Sequence, residues 1–173
     1  MNKKKIFGKL LIEAKKLSDM GATDQEIDEG FMDLFGQIGH SGGVGIIETF
    51  KKYVFKFFIS KFGVDGNSFM GLVLSNAFAN LSFTDYKKVF KDCEFTSNLI
   101  AESLIDTLIE QMRGKVGMDA AYYSVLQDAL VDAFKTQSTV QTIAEKIHDP
   151  ICDIVSEARE KLVSQIPGID KII

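Results

Sequence analysis

Tryptophan is absent from this chain of 173 residues, and cysteine, histidine and proline occur only twice each. Each scarcity removes a class of function. His40 and His148, with Cys93 and Cys152 far apart, cannot form a zinc set by spacing. No Cys-x-x-Cys pair exists, so the cysteines read as buried free thiols of a reducing compartment, with a single disulfide as the alternative. No Gly-x-x-x-x-Gly-Lys-Ser/Thr phosphate loop occurs, which leaves nucleotide binding without support. A concentrated basic surface is missing too: the net charge is −4 and the pI about 5.2, which excludes general nucleic-acid binding. Long hydrophobic runs are also lacking. Asn67 to Thr84 carries no charge, but its apolar run falls short of the roughly 18 residues of a membrane span and contains Asn76 and Asn80. Lys3 to Lys5 followed by Ile6 and Phe7 resembles the start of a signal peptide. Lys9 and Glu13 then interrupt the apolar region and no small-residue cleavage site follows, so the expected location is the cytoplasm where the chain is made.

What is present is a chain of ordinary globular balance, 46% apolar and 25% charged, which argues against disorder. Its length fits a single core-forming unit. Fourteen phenylalanines stand in for the missing tryptophan. They fill a core, or form an aromatic interface or membrane face. Residues 1 to 63 hold ten lysines and eight acids, so the surplus of negative charge lies entirely in residues 64 to 173. Such asymmetry suits head-to-tail association of copies.

Helical periodicity dominates and no alternating strand is found, which predicts an all-α bundle of seven to eight helices. Ile6, Phe7, Leu10, Leu11, Ala14 and Leu17 make the first stripe, stopped by Gly21. Thr23-Asp24-Gln25-Glu26 is a capping box that opens a second helix. Gly39 to Gly45 is a glycine-rich hinge, which divides an N-terminal segment, 1–45, from a helical core, 46–173.

The chain is organised around Ile46 to Phe62. At 100° per residue Ile46, Ile47, Phe50, Tyr53, Val54 and Phe57 share one face, widened by Phe55, Phe58, Ile59 and Phe62. Four lysines against Glu48 make the helix cationic, with Lys52 and Lys56 on the narrow polar side. So wide an apolar face must be covered by the rest of the chain, another subunit or an anionic lipid surface.

The uncharged segment Phe69 to Leu81 is expected to be a central buried helix, its Gly71, Ser75 and Ala79 forming a small-residue ridge that admits another helix. A short helix capped by Thr84 follows. Next comes one with Leu99, Ile100, Leu104, Ile105, Leu108, Ile109 and Met112 inward and Glu102, Asp106 and Glu110 along the outer face. That acidic strip is either solvated or a dock for the lysines of 46–62. Asp119 caps a helix with Tyr122, Val125, Leu126, Ala129, Leu130, Ala133 and Phe134. A shorter segment carries Val140 to Ile147, and Asp149-Pro150 is expected to start a separate last helix.

Two motifs invite chemistry. Gly39-His40-Ser41-Gly42-Gly43 spells the Gly-x-Ser-x-Gly nucleophile elbow, but that elbow needs a strand before the serine and a sheet to carry it. Glu102, Asp106 and Glu110 could line a metal site only with an inward Glu-x-x-His, and Glu145 to His148 is the single instance. No catalytic residue, cofactor or metal is therefore assigned.

Met20 to Ile27, the glycine hinge and Asn76-Ala77-Phe78-Ala79-Asn80 resemble stretches of small helical virion-associated proteins of tailed, marine-type bacteriophages. The resemblance implies a multi-copy structural or ejection component of a virion, not an enzyme, and transfers no site residue. The sequence thus leads to a non-enzymatic assembly protein, a homo-oligomer or part of a larger assembly. A membrane-active protein using the cationic helix is the alternative, and a hydrolase the distant one.

Overall fold

A computed structural model describes residues 2–37, 45–63, 65–115, 128–129 and 131–173. The fold is all-α, with no strand among the described residues. The described helices are α1 (Lys3–Asp19), α2 (Asp24–Gln37), α3 (Ile46–Phe62), α4 (Phe69–Ala79), α5 (Asp85–Lys91), α6 (Cys93–Lys115) and α7 (Gln137–Gln165), followed by a 3₁₀ turn, Ile169–Lys171. None of them is long and apolar enough to cross a membrane. The glycine hinge, Ser41 included, lies outside the described residues except for Gly45. So does most of the helix expected after Asp119.

Local signals explain most boundaries. Asn2 caps α1 by accepting from the Lys4 amide at 3.0 Å, and Gly21 turns the chain at φ 96°. The capping box forms as expected: the Thr23 amide donates to Glu26 Oε2 at 2.8 Å and the Glu26 amide to Thr23 Oγ1 at 3.2 Å. The Thr23 amide and the Thr23 hydroxyl, which donates to the same oxygen at 3.0 Å, hold the Glu26 carboxyl below its ordinary value. α3 ends at Gly63, in the left-handed region with φ 64°.

α3 is the hub, packing against α1, α2, α4 and α7. Ile46, Ile47, Phe50, Val54, Phe57 and Phe58 are buried. Aromatic rings continue the packing outward. Phe50 meets Phe83 and Tyr86 edge-on, each at 5.5 Å between centroids, and Phe58 lies 5.1 Å from Phe78. Most of the phenylalanines of α3 are therefore covered by the chain itself. The same continuous core takes in Phe7, Leu11 and Ala14 of α1, Ile27 of α2 and the C-terminal Ile166, Ile169, Ile172 and Ile173. Residues on both sides of the expected division at 45 share it.

Four expectations are corrected. α4 is not enclosed: Val73, Leu74, Ala77 and Phe78 point inward, while Leu72, Ser75, Asn76 and Ala79 are exposed. Lack of charge reflected a small polar outer face, not burial. Thr84 makes no side-chain cap on α5; Asp85 instead accepts from the Ser82 amide and hydroxyl, at 3.3 and 2.9 Å.

Asp149-Pro150 starts nothing, because Pro150 sits inside a single 29-residue helix capped by Thr136. Proline removes one amide from the ladder, but α7 packs against α6, α3 and α5, and these tertiary contacts carry the helix through. Finally, Cys93 and Cys152 are not free thiols. They form a disulfide, with Cα atoms 5.3 Å apart, that joins the start of α6 to the middle of α7.

Candidate functional site

The acids of α2 fix the position of α3. Asp28 sits at the N-terminus of α3, accepting from the Ile47 amide at 2.7 Å and the Glu48 amide at 3.3 Å. Burial pushes its carboxyl above the ordinary value, outweighing the two amides that pull it down; Asp24 and Glu48 add to the rise. Asp24 meets Lys51 at 3.0 Å and accepts from the Phe83 amide at 3.1 Å, so one carboxylate ties α2 to α3 and to the loop before α5.

With α3 so held, part of the expected surface comes together. Lys51, Lys52, Phe55, Ser75 and Ala79 line a groove of about 200 Å³ between α3 and α4, floored by Phe78 and Tyr86 and also bordered by Glu48. Lys52 and Lys56 are exposed; Tyr53, Phe55 and Phe62 are half-buried. Phe50, Val54, Phe57 and Phe58 are in the core and do not reach this groove. Lys161 and Lys61 cover the Phe57 ring, at 5.0 and 5.7 Å from its centroid.

Gly71 also takes no part. A Cβ there would lie 2.3 Å from the Asp65 carbonyl oxygen, so this glycine admits the preceding turn, not another helix. The small-residue ridge thus serves two ends: Gly71 packs inward, and Ser75 and Ala79 leave a shallow surface.

On the other side of α4 a second groove, of about 550 Å³, runs along α6. Asn76, Asn80, Asp85, Glu102, Asp106 and Glu110 give it an acidic, uncrowded lining, with Phe95 and Leu99 below. Its carboxylates do not meet the lysines of α3 within the chain. Lys51 is taken by Asp24, Lys52 by Glu48 at 3.0 Å and Lys61 by Glu157 at 2.6 Å. Asp106 pairs instead with Lys135 at 2.9 Å, and that hydrogen bond and charge, with a smaller contribution from Glu102, raise the lysine's pKa.

Sequence reading missed the hydroxyls on the buried face of α6. Thr96, Ser97, Ser103 and Thr107 are buried. Ser103 Oγ donates to the Val73 carbonyl at 2.5 Å, and Asn76 Nδ2 donates to Thr107 Oγ1 at 3.2 Å, fastening α4 to α6. The signal was present as helical spacing of small hydroxyl residues among the aliphatic ones.

A third cavity, between α6 and α7, places His148, Glu94, Glu102 and Glu145 in one lining, and on α7 His148 Nε2 lies 3.6 Å from the Cys152 sulfur. Among the described residues no three His, Cys, Asp or Glu side chains converge closely enough to hold a metal ion. The chain matches no family model, no curated protein and no solved structure.

Proposed function

We propose that this chain is a non-enzymatic assembly protein whose copies join head to tail, the lysine-rimmed α3–α4 groove of one copy seating against the acidic α4–α6 groove of the next. The observation that carries this reading is the pair of grooves flanking α4, opposite in rim charge and not satisfied by each other within the chain. Two different patches on one molecule give a heterologous contact, which closes into a ring or extends into a filament. Complementary charge selects the partner and sets the register, while Phe55, Phe95 and Leu99 supply apolar contact. A multi-copy role of this kind agrees with the resemblance to virion-associated phage proteins, which implies a location in the particle.

The lipid reading needs α3 to leave the bundle, because Phe50, Val54, Phe57 and Phe58 are its membrane-binding residues and are buried in the core. That release would expose the whole aromatic centre. A hydrolase built on Ser41 needs a strand before the elbow, where α2 runs as a helix to Gln37.

Mixing two charge-reversed chains tests the proposal. Lys52→Glu disables one groove and Glu102→Lys/Glu110→Lys the other. Each alone should stay monomeric against itself, whereas one intact groove of each survives in the mixture or, through the reversed charges, a complementary pair forms, giving a 1:1 complex. Two variants that associate as the native chain does would refute it.

A further inference from the structure

Phe134 is the one aromatic ring among the large apolar side chains that the described residues leave exposed, with 49% of its surface open. Sequence periodicity puts it on an inward stripe. In the structure its neighbour Lys135 bonds Asp106 at 2.9 Å, which brings residue 134 to the acidic side of α6. The other exposed large apolar side chains are elsewhere: Leu17 and Met20 close α1, Leu72 is on α4 and Val163 nears the end of α7. Leu108 is on α6 but turned about 160° around the helix from Asp106.

The lysine-rimmed groove between α3 and α4 has the dimensions and the lining for such a ring. Phe78 and Tyr86 floor it with nearly parallel rings, 6.4 Å between centroids and inclined by 22°, and half-buried Phe55 borders them. Charge is confined to the rim, where Lys51 and Lys52 are steadied by Asp24 and Glu48. The volume is about 200 Å³, and an apolar cavity of roughly 150 Å³ is enough to hold benzene. Phe134 is not among the residues that line this groove in its own chain.

We infer that Phe134 of one copy is the knob that enters the α3–α4 groove of the next, so that the groove's occupant is a named side chain of a second copy of this chain. The inference rests on the head-to-tail reading above and identifies the residue that grips. Phe78 and Tyr86 offer the incoming ring offset or edge-on aromatic contact, and docking removes the phenyl group from water. An aromatic anchor that fills a pocket carries a large share of the binding energy of an interface, whereas the charges around it govern approach and orientation. Because Phe134 is on the acidic side of α6, its entry brings the carboxylates of that side toward the lysine rim. Each copy has one knob and one groove, so the contact repeats from copy to copy.

The test uses two full-length variants that leave every charge in place. Phe134→Ala removes the knob, and Ser75→Leu fills the groove; both parent residues are exposed, so folding does not depend on them. In sedimentation at low salt each variant alone should self-associate at least about tenfold more weakly than the native chain. Mixed in equal amounts, they should form a 1:1 complex of near-native affinity, because the first retains the groove and the second the knob. As a second measurement, a benzophenone-bearing phenylalanine analogue placed at position 134 should, on irradiation, attach to residues 51–55 or 75–79 of another copy. Native-strength association of either variant, a mixture no tighter than its components, or attachment elsewhere would overturn the knob. If that happens while charge reversal still abolishes association, the head-to-tail reading stands without it; a native chain that stays monomeric overturns both.

Discussion

The carboxylate of Asp28 receives the Ile47 amide at 2.7 Å, so a side chain of α2 caps α3 from 19 residues away. The cap and the hub are thus supplied by different helices, and the orientation of α3 depends on α2. Gly45 is part of the same joint, since a Cβ there would fall 2.1 Å from Asp28 Cγ. Removing the cap by Asp28→Ala should lower the unfolding free energy by about 1–2 kcal/mol, measured by urea titration. Gly45→Ala should also destabilise, by displacing the carboxylate.

The same residue sets a pH dependence. Its carboxyl is raised above the ordinary value of 3.8 in the folded chain, first by burial, so the folded form binds the proton more readily than the unfolded form. Asp28 therefore favours folding most below the unfolded pKa, and this contribution falls as pH rises through the folded pKa. Stability curves of the native chain and Asp28→Asn should differ in slope across that window only. Parallel curves would show that the carboxyl is not perturbed.

Gly8 has a sharper steric role. A Cβ would stand 2.0 Å from the Pro167 carbonyl oxygen, which is backbone and cannot swing away. Gly8→Ala should cost about 1–3 kcal/mol and loosen the C-terminal isoleucines, as seen by faster amide exchange in residues 166–173.

Pro150 predicts the opposite sign. It occupies the interior of α7, where proline forgoes an amide bond. Pro150→Ala should raise the unfolding free energy by about 1–3 kcal/mol in a urea titration. No gain would mean that the helix has already adapted to the missing amide.

The disulfide spans 59 residues, and closing a loop of that size stabilises by about 4 kcal/mol through the entropy of the unfolded chain. Adding reductant should lower the urea midpoint of the native chain accordingly, and should leave Cys93→Ser/Cys152→Ser unaffected.

Much of this fold was legible in local patterns. The wide apolar face of Ile46 to Phe62 predicts a hub, and Gly21 and the Thr23–Glu26 box mark helix ends because capping is a short-range event. Long-range facts were not legible. Pairing of Cys93 with Cys152 depends on how α6 lies on α7, and Pro150 passes through a helix that packs against α6, α3 and α5. The candidate surface was less legible: spacing placed Lys52 on the polar side of its helix, but it put Phe55 on the apolar face and Ser75 and Ala79 on a buried helix. It could not tell that Phe57 and Phe58 would be consumed by the core or that Lys51 would turn to Asp24.

Sedimentation of the native chain over a wide concentration range, at low and at high salt, tests head-to-tail assembly most directly. The two charged grooves predict growth beyond a dimer as concentration rises at low salt, and reversion toward monomer at about 1 M salt, where screening acts within about 3 Å. A monomer at every concentration, or an oligomer indifferent to salt, would contradict it.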